Sequence, residues 1–307
     1  MLDKVLVIKL AALGDFIQAI GPFAAIRKHH SKSHITLLTS KPFVELAHAS
    51  RLFDQVWVDE KPRVLAIGNW YALRRQLLSG VFKRVYDLQT SDRSSFYHHL
   101  FWPRQNPEWS GIASGCSHPH DNPRRNFMHT VERQAEQLRI AGIKNVDVLS
   151  SMEFLDAPVD QFALSRDIAL LIPGGAMHRP EKRWPLEKFS ELARQLLADG
   201  LSPVLLGGTS ETKILEKIAA NCPQARNLCG QTSLLQIAGL ARHAMLSVGN
   251  DTGPMHLVAA MGCKTVVLYG PSSDPALCGQ RGPNVTFIRK PYLNDITVEE
   301  VKEASIA

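Results

Sequence analysis

No Cys-x-x-Cys pair occurs among the five cysteines, Cys116, Cys222, Cys229, Cys263 and Cys278. An odd, scattered set argues against a disulfide framework and a structural zinc site, and fits a reducing compartment. Long apolar runs are also missing, since no stretch approaches the ~18 apolar residues of a spanning helix. The N-terminal run Val5–Leu13 is interrupted by Lys9 and followed closely by Asp15, so it reads as a buried first strand rather than a secretory signal. No Gly-x-Gly-x-x-Gly follows that strand, and there is neither a Gly-Lys-Ser/Thr loop nor a Gly-x-Ser-x-Gly elbow. Dinucleotide oxidoreductases, P-loop NTPases and α/β-hydrolases are set aside accordingly. His98, His99, His118 and His120 lack a metal-ligand framework, and neither a metal nor a cofactor is expected.

What is present is a chain of 307 residues, too long for one ordinary core, so two domains of about 150 residues are expected. Its net charge of +6 is unevenly placed: residues 1–157 hold 20 Lys+Arg against 15 Asp+Glu and nine of the twelve histidines, whereas residues 158–307 hold 15 against 14. Either the first half is generically basic at its surface, or it meets the more anionic partner.

Short β-branched runs alternate with segments of helical period, the pattern of parallel sheets with crossover helices. In the first half, Val5–Leu10, Ile35–Thr39, Gln55–Val58 and Arg84–Gln89 read as strands, with helices over Phe16–His30, Pro42–Ala49, Trp70–Ser79 and Thr130–Ala141. Pro103–Asn126 has no apolar period and reads as a long loop, of a kind that is functional or disordered. The linker is placed at Leu155–Asp167, giving domains 1–157 and 158–307. In the second half, Ile168–Ile172, Pro203–Leu206, Met245–Val248 and Thr265–Tyr269 read as strands. Helices are expected over Leu186–Asp199, Glu211–Asn221, Leu234–Arg242, Pro254–Met261 and Val298–Ala304. The expectation is an α/β protein of two Rossmann-like, doubly wound parallel-sheet domains facing a deep cleft, with ligands at the carboxyl ends of the strands.

The strand ends carry the candidate chemistry. Asp15, after the turn at Gly14, is either a cap of its own helix or a general base favoured as an anion by the helix start. Asp251, Thr252, Gly253, Pro254, Met255 and His256 follow another strand. Pro254 suits a first helical turn, and the N–H groups of Thr252, Gly253 and Met255 can bind a diphosphate. His256 can contact phosphate or simply pack. Gly174 and Gly175 let a ligand approach the backbone, and Lys182 can put a point charge on a leaving diphosphate in place of a divalent metal. Trp184 reads as a packing residue. Glu211 can meet a ribose diol or cap its own helix. On the basic half, Arg93, with Arg124 and Arg125 in the loop beyond, can hold phosphate or carboxylate on an acceptor.

In this order, KLAALGD (Lys9–Asp15), Asp87–Gln89 with Arg93, HTVER (His129–Arg133), PGGAMHRPEKRWP (Pro173–Pro185), LCGQTSL (Leu228–Leu234), GNDTGPMHLVAA (Gly249–Ala260) and LYGP (Leu268–Pro271) run through nearly the whole chain. Together they resemble the bacterial heptosyltransferases, the ADP-heptose:lipopolysaccharide core glycosyltransferases of glycosyltransferase family 9. The resemblance implies a GT-B fold with an acceptor-binding first domain and a nucleotide-sugar-binding second domain, and an inverting, metal-independent transfer. By the same resemblance Asp15 is the base, Lys182 and the Asp251–His256 block hold the donor phosphates, and Glu211 meets the ribose. It further implies ADP-heptose as donor, an anionic glycolipid acceptor, no nucleic-acid partner, and a cytoplasmic enzyme with room for peripheral contact at the inner membrane. Two departures stand out: Ala11 and Ala12 occupy positions where hydroxyl residues are common, and Ala176 and Met177 replace a common Ser. The rival readings are a nucleotide-sugar epimerase on the same fold and a non-catalytic nucleotide- or carbohydrate-binding module.

Overall fold

The computed structural model describes residues 2–147, 152, 154, 155, 157–175 and 180–306. The chain divides into two compact units, Met1–Ser150 and Ser151–Ala307.

The first unit runs β1 (Lys4–Lys9), α1 (Leu13–Ile17), α2 (Ile20–His29), β2 (His34–Thr39), α3 (Val44–Ser50), β3 (Gln55–Val58), α4 (Ile67–Ser79), β4 (Arg84–Asp87), α5 (Asp92–Phe101), β5 (Glu108–Gly111), β6 (His118–Pro119) and α6 (Thr130–Ile140). The second runs β7 (Ile168–Ile172), α7 (Leu186–Ala198), β8 (Ser202–Leu205), α8 (Thr212–Asn221), β9 (Arg226–Asn227), α9 (Leu234–His243), β10 (Ala244–Asn250), α10 (Gly253–Ala260), β11 (Thr265–Tyr269), α11 (Pro275–Cys278), β12 (Val285–Arg289) and α12 (Val298–Ile306).

Each unit holds a six-stranded, all-parallel sheet, ordered β3-β2-β1-β4-β5-β6 in the first and β12-β11-β10-β7-β8-β9 in the second. Counted from its own first strand, each sheet has the doubly wound order 3-2-1-4-5-6, whose direction reverses between strands one and four. Those switch points lie between β1 and β4 and between β7 and β10. Helices cover both faces, so the central strands are near-continuous apolar runs: β7 (IALLI) and β11 (TVVLY) are buried at every position. In the first unit Leu6, Ile8, Leu73, Leu77, Tyr97, Phe101 and Trp109 share one core cluster, and in the second Leu171, Trp184, Phe189, Leu192, Leu215 and Leu268 share another.

Several expectations are corrected. The single helix expected over Phe16–His30 is two, because Pro22 has no N–H for the carbonyl of residue 18; the chain restarts with Pro22 in the first turn of α2. Pro103–Asn126 is not one long loop: it contributes β5 and β6, with Trp109 fully buried. Asp92–Phe101, unassigned from sequence, is α5, started by a capping box between Ser91 and Ser94. The stretch assigned as linker packs onto α9. Arg242 donates to the carbonyls of Met152 (3.4 Å) and Leu155 (3.5 Å), and a Cβ at Gly239 would lie 2.6 Å from the Ala157 carbonyl oxygen. This packing draws residues before 158 into the second unit. β10 runs from Ala244 to Asn250, past the expected strand Met245–Val248 at both ends. There, a Cβ at Gly249 would sit 2.6 Å from Met255 Sδ and 2.8 Å from the Ile172 carbonyl oxygen, so only glycine fits that stretch of strand.

Candidate functional site: a glycine-lined pocket at a switch point

In the second unit the loops leaving β7, β8, β9 and β10 surround a cavity of ≈ 540 Å³. That is ample for a nucleotide-sized ligand. Six glycines line it: Gly174, Gly175, Gly207, Gly208, Gly230 and Gly253. A wall without side chains lets a ligand reach backbone N–H groups directly. Ile172, Leu206, Leu234 and Ile237 form an apolar wall, while Lys182, Glu211, Asp251 and Thr252 supply the polar groups.

Asp251 is the most heavily bonded of these. Its Oδ2 accepts from Lys182 Nζ (3.0 Å) and Ser273 Oγ (2.8 Å), and its Oδ1 from Tyr269 OH (3.1 Å) and Gln280 Nε2 (3.2 Å). Burial alone would raise its pKa; the bonds from Lys182 and Ser273, with a smaller effect of His256, more than offset this and hold it below the ordinary carboxylate range. With Lys182, Ser273 and Gln280 donating to it, and the single Tyr269 O–H shared between it and Gln280 Oε1 (2.7 Å), Asp251 fixes Lys182 and the start of α10 in place rather than offering a free acceptor. An ammonium has three N–H donors, so the bond to Asp251 leaves Lys182 two for a ligand.

The start of α10 behaves in part as expected. Pro254 brings no N–H, and Thr252 and Gly253 are the donors that the helix does not use. Thr252 Oγ1 is buried and has no hydrogen-bond partner among the described residues. Met255 is a correction: its N–H donates to the Thr252 carbonyl (3.1 Å) and its side chain is fully buried, with Sδ 3.7 Å from Ser247 Oγ. It shapes the floor beneath the helix and offers nothing to an anion. His256 is buried one turn in, is not among the pocket's lining residues, and its charge helps to lower the Asp251 pKa.

Glu211 joins two of the glycine turns. Oε1 accepts the Gly175 N–H (2.9 Å) and Oε2 the Gly208 N–H (2.8 Å), so the capping role is present and reaches across to the β7 loop as well. Asn250, given no role from sequence, ties the pocket loops together. Buried at the end of β10, it donates to the carbonyls of Pro173 (2.8 Å) and Gly174 (3.1 Å) and accepts from the Trp184 N–H (2.9 Å). Its only local signal was the asparagine itself, after a strand and before the Asp-Thr-Gly turn. Trp184 packs edge-on against Phe189 and donates its indole N–H to the Ile296 carbonyl (3.0 Å), a packing residue as expected. Ala176 and Met177 lie outside the described residues.

In the first unit the switch point carries Lys9, Asp15 and Asp87. Asp15 is the third residue of α1, partly exposed, and its Oδ2 accepts the Ala12 N–H (3.2 Å). Gln89 Oε1 ties down the same turn by accepting from the N–H groups of Leu10 (2.8 Å) and Ala11 (3.0 Å). Lys9 is buried and donates to the Leu88 carbonyl (3.1 Å). Burial pushes its amine pKa down, with Asp15 and Asp87 opposing that shift. Asp87 is fully buried, and burial pushes it up to about 6 against N–H bonds from Thr90 and Gln89. Of the expected acceptor residues, Arg93 is already engaged: it donates to the Pro62 carbonyl (3.1 Å) and stacks over Trp70 at 5.6 Å. Arg124 is exposed. Arg125 is half-buried, with Nε and Nη2 lacking hydrogen-bond partners among the described residues. The described residues contain no group of three or more His, Cys, Asp or Glu placed to hold a metal, and no helix long and apolar enough to cross a membrane.

Two doubly wound parallel sheets of this order, one with a glycine-lined pocket at its switch point, define a protein of the GT-B class. Residues 70–305 match the model of glycosyltransferase family 9 (heptosyltransferase), and the chain belongs to that family. It is 39% identical over 120 residues to lipopolysaccharide heptosyltransferase 2 of Escherichia coli K12, a stretch covering 37% of this chain and only 34% of that relative's length. Among solved structures it resembles the glycosyl transferase family 9 protein of Veillonella parvula, with a TM-score of 0.84 at 22% identity over 99% of this chain and 96% of that one. It also resembles the E. coli heptosyltransferase WaaC with ADP, with a TM-score of 0.79 at 21% identity over 98% of both chains.

Proposed function

We propose that this chain is a glycosyltransferase that transfers a heptose from ADP-heptose, with inversion and without a metal, to an anionic glycolipid acceptor of the lipopolysaccharide core. The observation that carries the proposal is the second unit's pocket, where Lys182 and the N–H groups of Thr252 and Gly253 converge beside an apolar wall. Helix starts and a lysine favour a diphosphate, and Ile172, Leu206, Leu234 and Ile237 suit an adenine. Family membership and the ADP-bound relative support the same reading.

In this reading Asp15 takes the proton of the acceptor hydroxyl while its oxygen attacks the anomeric carbon of the donor. The bond from that carbon to the β-phosphate oxygen breaks, and ADP leaves with the electron pair. Lys182 and the start of α10 stabilise the negative charge developing on the diphosphate, a task that other enzymes give to a divalent cation. Glu211 positions the glycine turns and, through its remaining lone pairs, can accept a ribose hydroxyl. The first unit, through Arg124 and Arg125, meets the acceptor's anionic groups.

A thermal-shift screen of ADP-, GDP- and UDP-sugars tests the donor. Stabilisation follows mass action, so ADP-heptose should raise the melting temperature most. A larger shift with a GDP- or UDP-sugar refutes the donor assignment. Turnover should require an added acceptor glycan and survive a chelator; acceptor-independent conversion of the sugar would make the chain an epimerase instead.

A further inference from the structure

The loop from β3 into α4 carries an exposed apolar tip that the pocket chemistry leaves unexplained. Val64 is 84% exposed, Leu65 91%, Ile67 81% and Tyr71 66%. Single exposed apolar residues are ordinary, but four large ones within eight positions form a patch that a lone soluble chain rarely displays.

The tip is rigid. Trp70 Nε1 donates to the Arg63 carbonyl (3.1 Å), the Ala66 N–H to the same carbonyl (2.9 Å), and the Ile67 N–H to the Leu65 carbonyl (3.0 Å). Arg93 braces it from below through the Pro62 carbonyl and the face of Trp70, which also packs edge-on against Phe96. On α4, Ile67, Tyr71 and Arg75 are spaced i, i+4, i+8 and make one outward stripe, while Leu73 and Leu77 are buried on the opposite side.

Charge identifies the occupant. Residues 61–75 contain Lys61, Arg63, Arg74 and Arg75 and no Asp or Glu, although the exposed Glu60 precedes them. Lys61, Arg63 and Arg75 are exposed around the apolar tip. An apolar wedge ringed by cations matches an anionic bilayer, into which Val64, Leu65 and Ile67 enter below the headgroups while the basic side chains pair with lipid phosphates. A protein groove would meet the apolar residues but would leave Lys61, Arg63 and Arg75 unpaired unless it were itself acidic.

We infer that the β3–α4 tip is a membrane-docking surface for anionic phospholipid. Arg93 thereby acquires a structural role, as the brace of that tip.

The test is co-sedimentation of the full chain with vesicles of phosphatidylethanolamine and phosphatidylglycerol, against vesicles of phosphatidylcholine alone. These vesicles carry no glycan and the assay contains no nucleotide sugar, so the result stands apart from any test of transfer. The full chain should pellet with the anionic vesicles and be released by salt. The double variant Leu65→Glu/Ile67→Glu should lose at least about tenfold in partition, because both side chains leave the apolar layer. Arg63→Gln and Arg75→Gln should each cost about fivefold and flatten the salt dependence. All four positions are exposed, so the melting temperatures should match the parent. The inference is overturned if the parent stays in the supernatant with anionic vesicles, or if the Leu65→Glu/Ile67→Glu variant pellets equally well. It is also overturned if sedimentation velocity without lipid shows a dimer that this variant dissolves, since the face would then belong to a second copy.

Discussion

Replacing Gly174 with alanine tests the pocket's construction most directly. A Cβ there would fall inside the contact radius of Glu211 Oε1 and Cδ and lie 2.8 Å from Oε2. No left-handed backbone angle is involved at Gly174, so alanine is conformationally acceptable and the whole cost comes from that collision. Glu211 is flexible enough to swing away, at the expense of its bonds to the Gly175 and Gly208 N–H groups. Hydrogen bonds to a charged group contribute roughly 1.5–3 kcal/mol each; the Gly208 bond is solvent-exposed and belongs below that range, so the pair is worth about 2–4 kcal/mol. At roughly 2–4 °C per kcal/mol, the second unit should melt about 4–16 °C lower. Glu211→Ala removes the same two bonds without a collision and should cost a similar amount. In the Glu211→Ala background Gly174→Ala should then cost almost nothing, giving a coupling of about 2–4 kcal/mol in a double-mutant cycle. Calorimetry on the four proteins measures it. If the two substitutions simply add, Glu211 is not what confines position 174, and the account of the glycine turns fails.

Three further outcomes are expected. Asp15→Asn should lower turnover by about 10²–10⁴-fold while leaving the ADP-induced thermal shift nearly unchanged; a matching loss of nucleotide binding would reduce Asp15 to a structural cap. Thr252→Val should move two measurements in opposite directions. Removing a buried hydroxyl that has no partner among the described residues stabilises the unliganded chain by about 1 kcal/mol, and losing that donor weakens ADP binding by about tenfold, so a destabilised variant that binds ADP normally would contradict the pocket assignment. For Asp87 the folded pKa of about 6 stands above its unfolded value of 3.8, so folding penalises the ionised form. That cost is fully present above about pH 6 and is relieved as the pH falls towards the unfolded value. The first unit's melting temperature should accordingly drop as pH rises through about 6, and Asp87→Asn should remove that step; an unchanged profile would mean Asp87 does not titrate there.

The most legible elements in the sequence were those whose signal is local and redundant. β7 and β11 are placed to the residue because strands buried on both faces are unbroken apolar runs between turn residues. The helix starting at Gly253 was announced by Thr252 and Pro254. β5 and β6 were hidden because two short strands, anchored by Trp109, fall among prolines, glycines and histidines whose local preferences all favour a loop. α5 was hidden for a related reason: Ser, Asp and His are indifferent helix formers, and its apolar residues Tyr97 and Phe101 become informative only once the core they enter is known. At the pocket, glycines and lysine were readable as residue types, but their arrangement was not. Asp251 meets Lys182 across 69 positions and Gln280 across 29, and Asn250 reaches back 77 to Pro173. Such pairings depend on strand order, which no local window contains. Met255 was misassigned on the same ground, since a helix's first N–H groups are nominally free and only the closed turn shows which one has been used.

The Asn250 amide links the segments that follow β7 and precede α7 to the end of β10, using both its N–H bonds and its oxygen inside the fold. Those segments are thereby welded to one another, so no drift in one can occur without dislodging the others. Change in ligand preference over evolutionary time would have to enter elsewhere, through side chains outside the weld. Leu206, Leu234 and Ile237 answer that description: they line the cavity from the end of β8 and from the first turn of α9, and exchanging any of them would recut the wall while the Asn250 joint stayed intact.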